Sequence, residues 1–188
     1  GEATYEALHA FVKRAVAKYR RSGSLDETPL RFQLERFQAA ATPLRFPGKL
    51  LADAKTQRLY IADSGHHRIV VVSFAGKLLG IIGNGSVGRQ DGPAAQASFS
   101  SPQGLALKGQ TLYVADTENH LVRQVDLRRL QVTTLAGTGQ QAPGVIVRST
   151  SRPTGFPLAS PWDLLLHDDE LYIAMAGSHQ IWRLKLSN

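Results

Sequence analysis

Three histidines stand at matching places in this chain, His67, His120 and His179, each eight residues after a leucine. Imidazoles drawn from separate segments could hold a zinc or copper ion. Asp63 and Asp116 precede the first two histidines by four residues, and Arg68 and Arg123 follow them. Carboxylate, imidazole and guanidinium are also the groups of acid–base catalysis. The copying argues otherwise, because a reaction needs one such set whereas a repeated fold needs one per unit. The expectation is therefore structural: each Asp accepts backbone N–H groups from the turn that follows it and pairs with Arg68 or Arg123. Each histidine should bond within its own hairpin. His66 should sit at the surface. Met175 occupies the acidic position of the third unit, so that cap is absent there.

The elements that carry these residues are themselves repeats. They read LYIADSGHHRI at Leu59–Ile69, LYVADTENHLV at Leu112–Val122 and LYIAMAGSHQI at Leu171–Ile181. Self-similarity at a period of about 50 to 60 residues marks one unit stacked on itself. The β-type alternation within each unit points to a β-propeller. Strands are expected near 49–52, 58–62, 67–74 and 77–82 in the first unit. The second should have them at 104–107, 111–115, 120–127 and 131–136, and the third at 162–166, 170–174 and 179–186. Each unit opens on a proline, Pro47, Pro102 or Pro161, which suits the start of a strand because it has no N–H to donate. The glycine-rich stretch Gly83–Gly88 has no following helix and reads as a turn rather than a phosphate loop.

The expected architecture is all-β, a partial propeller of about 2.75 blades preceded by one N-terminal helix. Blades should cover 44–98, 99–157 and an incomplete 158–188 within a domain of 41–188. Ring closure would come from missing blades or from another chain. Residues 1–40 form a separate helix and linker. Apolar residues at spacings of three and four put a helix at Glu2–Arg21, and Leu30–Leu34 alternates like a strand.

The chain has no cysteine, which excludes disulfides and thiolate chemistry and fits a reducing, cytoplasmic setting. It has no membrane-length apolar run and no Gly-x-Ser-x-Gly, His-Glu-x-x-His or Walker pattern. No catalytic, cofactor or metal residues are therefore expected. The net charge of +7 admits a polyanion partner such as RNA, with Arg45, Lys49, Arg58, Arg128 and Arg129 as contacts. Two long inter-blade segments, Asn84–Ser101 and Gln140–Ser160, are the expected binding loops. They offer Arg89, Gln90, Asp91, Arg148 and Arg152, with Trp162 just beyond.

The segments Leu59–Arg68 and Leu112–Arg123 resemble the strand–Asp–hairpin–Arg signature of the NHL-repeat β-propellers. Longer strings, among them Ile61–Ile69, Tyr113–Arg123 and Ser160–Asp163, resemble a branch that joins a thioredoxin-like domain to an NHL propeller. The resemblance implies that the N-terminal helix is the remnant of a thioredoxin-like domain. It also implies a non-catalytic scaffold that presents loops to a protein partner or to its own redox domain. Other NHL propellers bind RNA through a basic face, and some are metal-dependent lyases with histidines on the inner strands. Here the inner-strand starts Pro47-Gly48, Pro102-Gln103 and Pro161-Trp162 carry no histidine.

Overall fold

The computed structural model describes residues 5–28, 42–145 and 152–186. The expected strand at Leu30–Leu34 lies outside them. Backbone contacts divide the chain into residues 1–41 and 42–188. In the first unit, α1 spans Tyr5–Arg21 with Lys18, Arg20 and Arg21 in its last turn, where cations suit the negative end of the helix dipole. Its apolar residues Tyr5, Leu8, Phe11, Val12 and Tyr19 are exposed.

The second unit is three stacked antiparallel sheets. Blade one is β1 (Pro47–Asp53), β2 (Arg58–Asp63), β3 (Arg68–Ser73) and β4 (Leu78–Ile82), in that order. The short β5 (Gly92–Pro93) comes next. Blade two then runs β6 (Pro102–Lys108), β7 (Thr111–Asp116), β8 (Leu121–Asp126) and β9 (Gln131–Ala136), with β5 paired outside β9. Blade three is β10 (Pro161–His167), β11 (Glu170–Met175) and β12 (Gln180–Lys185).

The first strands β1, β6 and β10 lie against one another and form the inner edge of the stack. Each begins at its proline and bulges within two or three residues of it. The bulges let the inner edges close up. A Cβ on Gly104 would sit 2.5 Å from the Cα of Asp163, so only glycine admits blade three there.

Side chains alternate across each sheet, so every blade has two apolar faces. Tyr60, Ala62 and Ile69 of blade one bury against Leu105, Leu112, Val114 and Val125 of blade two. The opposite face of blade two, with Ala106, Tyr113, Ala115 and Val122, buries against Leu164, Leu171, Ile173 and Met175 of blade three. The same three positions, Tyr, Ala and a β-branched residue, thus make the forward face of both blades.

The segment 84–101 departs from expectation. Rather than a free loop, it contributes β5 to blade two and places Ala94, Ala97 and Phe99 in the core between blades one and two. Its length is used to fold back over the outer edge of the next sheet. Val87 and most of its polar residues stay at the surface.

Candidate functional site

The repeated residues assemble at the end of each blade where the second strand turns through a single 3-10 turn into the third. In blade one the Asp63 carboxylate is fully buried. Its Oδ1 accepts the Arg45 amide at 2.6 Å, and its Oδ2 accepts His66 Nδ1 at 2.9 Å and Arg68 Nε at 2.8 Å. In blade two, Asp116 Oδ1 accepts the Ser100 amide at 2.7 Å, and Oδ2 accepts Asn119 Nδ2 at 2.8 Å and Arg123 Nη1 at 2.9 Å. The aspartates therefore do not cap the turn that follows them. They hold the segment leading into their own blade's first strand, far back along the chain, because the β1–β2 and β6–β7 pairings bring that segment alongside. His66, expected at the surface, is half-buried by its bond to Asp63.

The two arginines are not equivalent. Arg68 lies five residues after its Asp and stays partly exposed, whereas Arg123 lies seven after and is fully buried. Arg123 also donates to the Ser98 and Gln90 carbonyls and to Asp91 Oδ1 (3.0, 2.9 and 2.6 Å), and its guanidinium lies 5.2 Å from the Phe99 ring centre. Burial pushes the Asp116 carboxyl up to about 6, against the opposing pull of the Ser100 amide, Asn119 and Arg123.

The histidines work between blades, not within hairpins. His67 Nδ1 accepts the Ser101 amide of blade two at 3.0 Å, and His120 Nδ1 accepts the Ser160 amide of blade three at 3.1 Å. Each accepting histidine is left-handed, at φ 52° and 53°, and each donor is a left-handed serine at φ 48° preceding the blade's proline. Hydroxyls reinforce the joint. Ser64 Oγ donates to the Pro102 carbonyl at 2.5 Å, and Thr117 Oγ1 donates to the Pro161 carbonyl at 2.7 Å. Burial lowers the pKa of both His67 and His120, which keeps Nδ1 able to accept. Blade three departs from this pattern. Met175 and Ala176 replace the Asp and the hydroxyl, and Ser178 Oγ, at the position of His66 and Asn119, is buried without a partner among the described residues.

The sequence-based surface residues are dispersed. Arg89, Gln90 and Asp91 are exposed yet tied down. Arg89 Nη1 donates to the Gly139 carbonyl at 3.3 Å, the Gln90 carbonyl and Asp91 Oδ1 receive Arg123, and Asp91 also accepts the Thr134 amide at 3.0 Å. Arg152 is exposed beside the turn Pro153–Gly155, and Arg148 lies outside the described residues. Trp162 projects from the inner strand of blade three, 52% exposed. Beside it, Lys49 and Asp163 pair between the inner strands of blades one and three.

The basic residues proposed for a polyanion do not share a face. Arg45 and Lys49 lie at the proline end of the strands. Arg58 starts β2, and Arg128 and Arg129 sit in the β8–β9 turn, both at the opposite end. A strand of six or seven residues separates the two groups by roughly 20 Å. Among the described residues, no group of three or more His, Asp or Glu could hold a metal. No described helix is long and apolar enough to cross a membrane.

Blades stacked on their inner edges, with an Asp–hairpin–Arg unit recurring in two of them, define a partial β-propeller of the NHL-repeat type. The NHL repeat model matches residues 99–125, which open blade two and include Asp116, His120 and Arg123. Over 99% of its length the chain is 42% identical to NHL repeat-containing protein 2 of Gallus gallus. It is 43% identical over 97% of its length to the protein Suppressor of quenching 1, chloroplastic, of Arabidopsis thaliana. It spans about a quarter of the first relative (26%) and 18% of the second. A crystal structure of a Bacteroides thetaiotaomicron protein of unknown function superposes with a TM-score of 0.62 at 22% identity, covering 72% of this chain and 34% of that one. That likeness speaks to the fold alone.

Proposed function

We propose that this chain is a non-catalytic interaction scaffold, the propeller portion of a larger thioredoxin-like/NHL protein of the cytoplasm. In this reading residues 1–40 are the end of the thioredoxin-like domain and 41–188 are the propeller. Its surface presents a protein, the redox domain first, with a place to dock. The observation that carries the reading is how the chemically capable residues are used. Asp63, Asp116, Arg68, Arg123, His67 and His120 all hold lead-in segments or join blades. What remains to face a partner is the proline end around Trp162, Arg152 and the exposed part of 140–160. The relatives named above support a larger protein around this segment.

The test is a titration of a thioredoxin-like domain, taken from an NHL repeat-containing relative, into this chain while tryptophan fluorescence is followed. Saturable binding that is lost on Trp162→Ala, with the far-ultraviolet circular dichroism unchanged, is the expected result. No saturable change, or binding indifferent to Trp162→Ala, overturns the reading.

A further inference from the structure

Two asparagines lie among the described residues, Asn84 and Asn119, and they are held in opposite ways. Asn119 is half-buried. Its Nδ2 donates to the Gly88 carbonyl at 2.7 Å and to Asp116 Oδ2 at 2.8 Å. The amide of the next residue, His120, donates to the Thr117 carbonyl at 3.1 Å. Asn84 is exposed and is followed by Gly85. The Gly85 amide has no hydrogen-bond partner among the described residues. Gly85 is left-handed at φ 82°, and a Cβ there would meet nothing nearer than the His66 carbonyl at 3.7 Å. The peptide that joins the two residues is therefore open to water.

The side-chain carbonyl carbon of an asparagine, Cγ, can be closed into a five-membered ring by the backbone nitrogen of the next residue. Such an intramolecular attack needs a free, unshielded nitrogen and a donor for the charge that gathers on the carbonyl oxygen. Asn84 has both. Gly85 carries no side chain to shield its nitrogen. Asn84 Oδ1 accepts the Ser86 amide at 2.9 Å, so a donor already stands where the negative charge develops. At Asn119 the corresponding nitrogen is that of His120, whose N–H is taken.

We propose that Asn84 is a site of spontaneous deamidation, and that the change loosens the segment 84–101. The Gly85 nitrogen gives up its proton to water or hydroxide and bonds to Asn84 Cγ. The Cγ–Nδ2 bond breaks, and Nδ2 leaves as ammonia with a proton taken from water. Water then opens the succinimide ring. Breaking the bond from the ring nitrogen to Cγ gives aspartate, and breaking the bond to the backbone carbonyl carbon gives isoaspartate. Residues 83–88 hold the returning half of this segment. The amides of Gly83, Asn84 and Gly88 donate to the carbonyls of Ala94, Ala97 and Phe99 at 2.8, 2.8 and 3.1 Å, and Asn84 Nδ2 donates to the Gln96 carbonyl at 3.1 Å. Ala94, Ala97 and Phe99 are core residues between blades one and two. Either product loses the Nδ2 donor and gains a negative charge. Isoaspartate also lengthens the main chain by a methylene between these ties.

Peptide mapping by mass spectrometry tests the site, on the folded chain incubated at mildly alkaline pH. The peptide holding Asn84 should become about one dalton heavier and resolve into aspartyl and isoaspartyl forms. The isoaspartyl form should accept a methyl group from an isoaspartate methyltransferase. The peptide holding Asn119 should stay unchanged. The rate should rise with pH, because the Gly85 nitrogen must lose its proton before it attacks. Gly85→Ala, with circular dichroism unchanged, should slow the reaction about tenfold. Hydrogen exchange at the amides of residues 83–88 should quicken in the deamidated fraction. An Asn84 peptide that stays intact, or that reacts no faster than Asn119, overturns the proposal. A rate indifferent to Gly85→Ala overturns the route through the ring, and unchanged exchange overturns the loosening.

Discussion

Replacing Asp116 by alanine should harm this fold far more than replacing Asp63, although the two occupy one position of the repeat. Both carboxylates are fully buried and both accept a lead-in amide. The difference lies with the cation. Arg68 and His66 are partly exposed, so water can solvate them once Asp63 is gone. The loss is then mainly a buried amide acceptor, about 1–2 kcal/mol. Arg123 has no such recourse. Its side chain is wholly enclosed, and Asp116→Ala leaves the guanidinium with Asp91 and two carbonyls. Removing one partner of a buried pair costs about 3–5 kcal/mol. For a chain of this size about 2–4 °C of melting temperature accompanies each kcal/mol. Asp63→Ala should therefore lower the midpoint by about 4 °C and Asp116→Ala by about 10 °C, read by circular dichroism in thermal scans.

A second variant isolates the cause. Arg123 Nε is buried with no partner among the described residues, so the arginine carries its own desolvation cost. If the stranded cation explains the loss, Asp116→Ala/Arg123→Met should be more stable than Asp116→Ala alone, because an apolar side chain can fill a buried ion-pair site without loss. Equal midpoints for the two single variants, or a double variant less stable than Asp116→Ala, would refute the reasoning.

The remaining predictions concern the joints between blades. His120 accepts an amide through Nδ1, and its folded pKa is lowered by burial against the raising effect of Glu118. The unfolded value is about 6.5, so the unfolded chain takes up the proton first. The stability due to neutral His120 is full above about pH 6.5 and is lost as pH falls through the lower folded value. The gap in urea midpoint between wild type and His120→Ala should thus hold steady at neutral to mildly alkaline pH and narrow on acidification; a gap that widens would contradict the bond. His67 should behave alike, its pKa lowered by burial and by His66 and Arg45 against Asp63. Gly104→Ala would drive a Cβ to 2.5 Å from the Asp163 backbone and should cost about 2 kcal/mol or more. Gly80→Ala, in a strand of blade one with nothing within 4 Å, should be neutral or gain about 0.5 kcal/mol. Denaturant melts that rank the two glycines the other way would dismiss the close-approach argument.

Much of the fold was legible because local signals agreed. Period-two alternation and the three prolines placed β1 to β4 and β6 to β12 within about two residues at their ends, and the repeat named a propeller before any contact was known. What escaped had tertiary causes. β5 is two residues, Gly92 and Pro93, too short to alternate, and becomes a strand only because β9 offers an edge. The histidine bonds could not be read because the partner amide lies 34 or 40 residues away and on another blade. A spacing signal did exist for the arginines. Arg68 follows its Asp by five residues and Arg123 by seven, so they lie on different strand positions, and matching them as one repeat residue hid the burial of Arg123.

Blade three shows that the repeat is a network rather than a set of independent residues. Where Arg123 stands in blade two, Trp182 stands here, and where Asp116 stands, Met175 does. The two changes belong together: without the carboxylate a buried cation would be stranded, and without the cation a buried carboxylate would be. Met175 is buried and Trp182 packs beside it in the apolar core, its ring 5.6 Å from that of Phe156. Restoring the repeat residue alone should therefore do damage. Met175→Asp would supply an acceptor for Ser178 Oγ, which has none among the described residues, yet it would bury a charge where Trp182 replaces the arginine of blade two and cost about 3–5 kcal/mol. Adding Trp182→Arg should recover part of that loss even though each change alone destabilises, a coupling that a double-mutant cycle measures directly. Additive losses from the two changes would mean that the Asp and the Arg of the repeat act separately, and that blade three lost them for unrelated reasons.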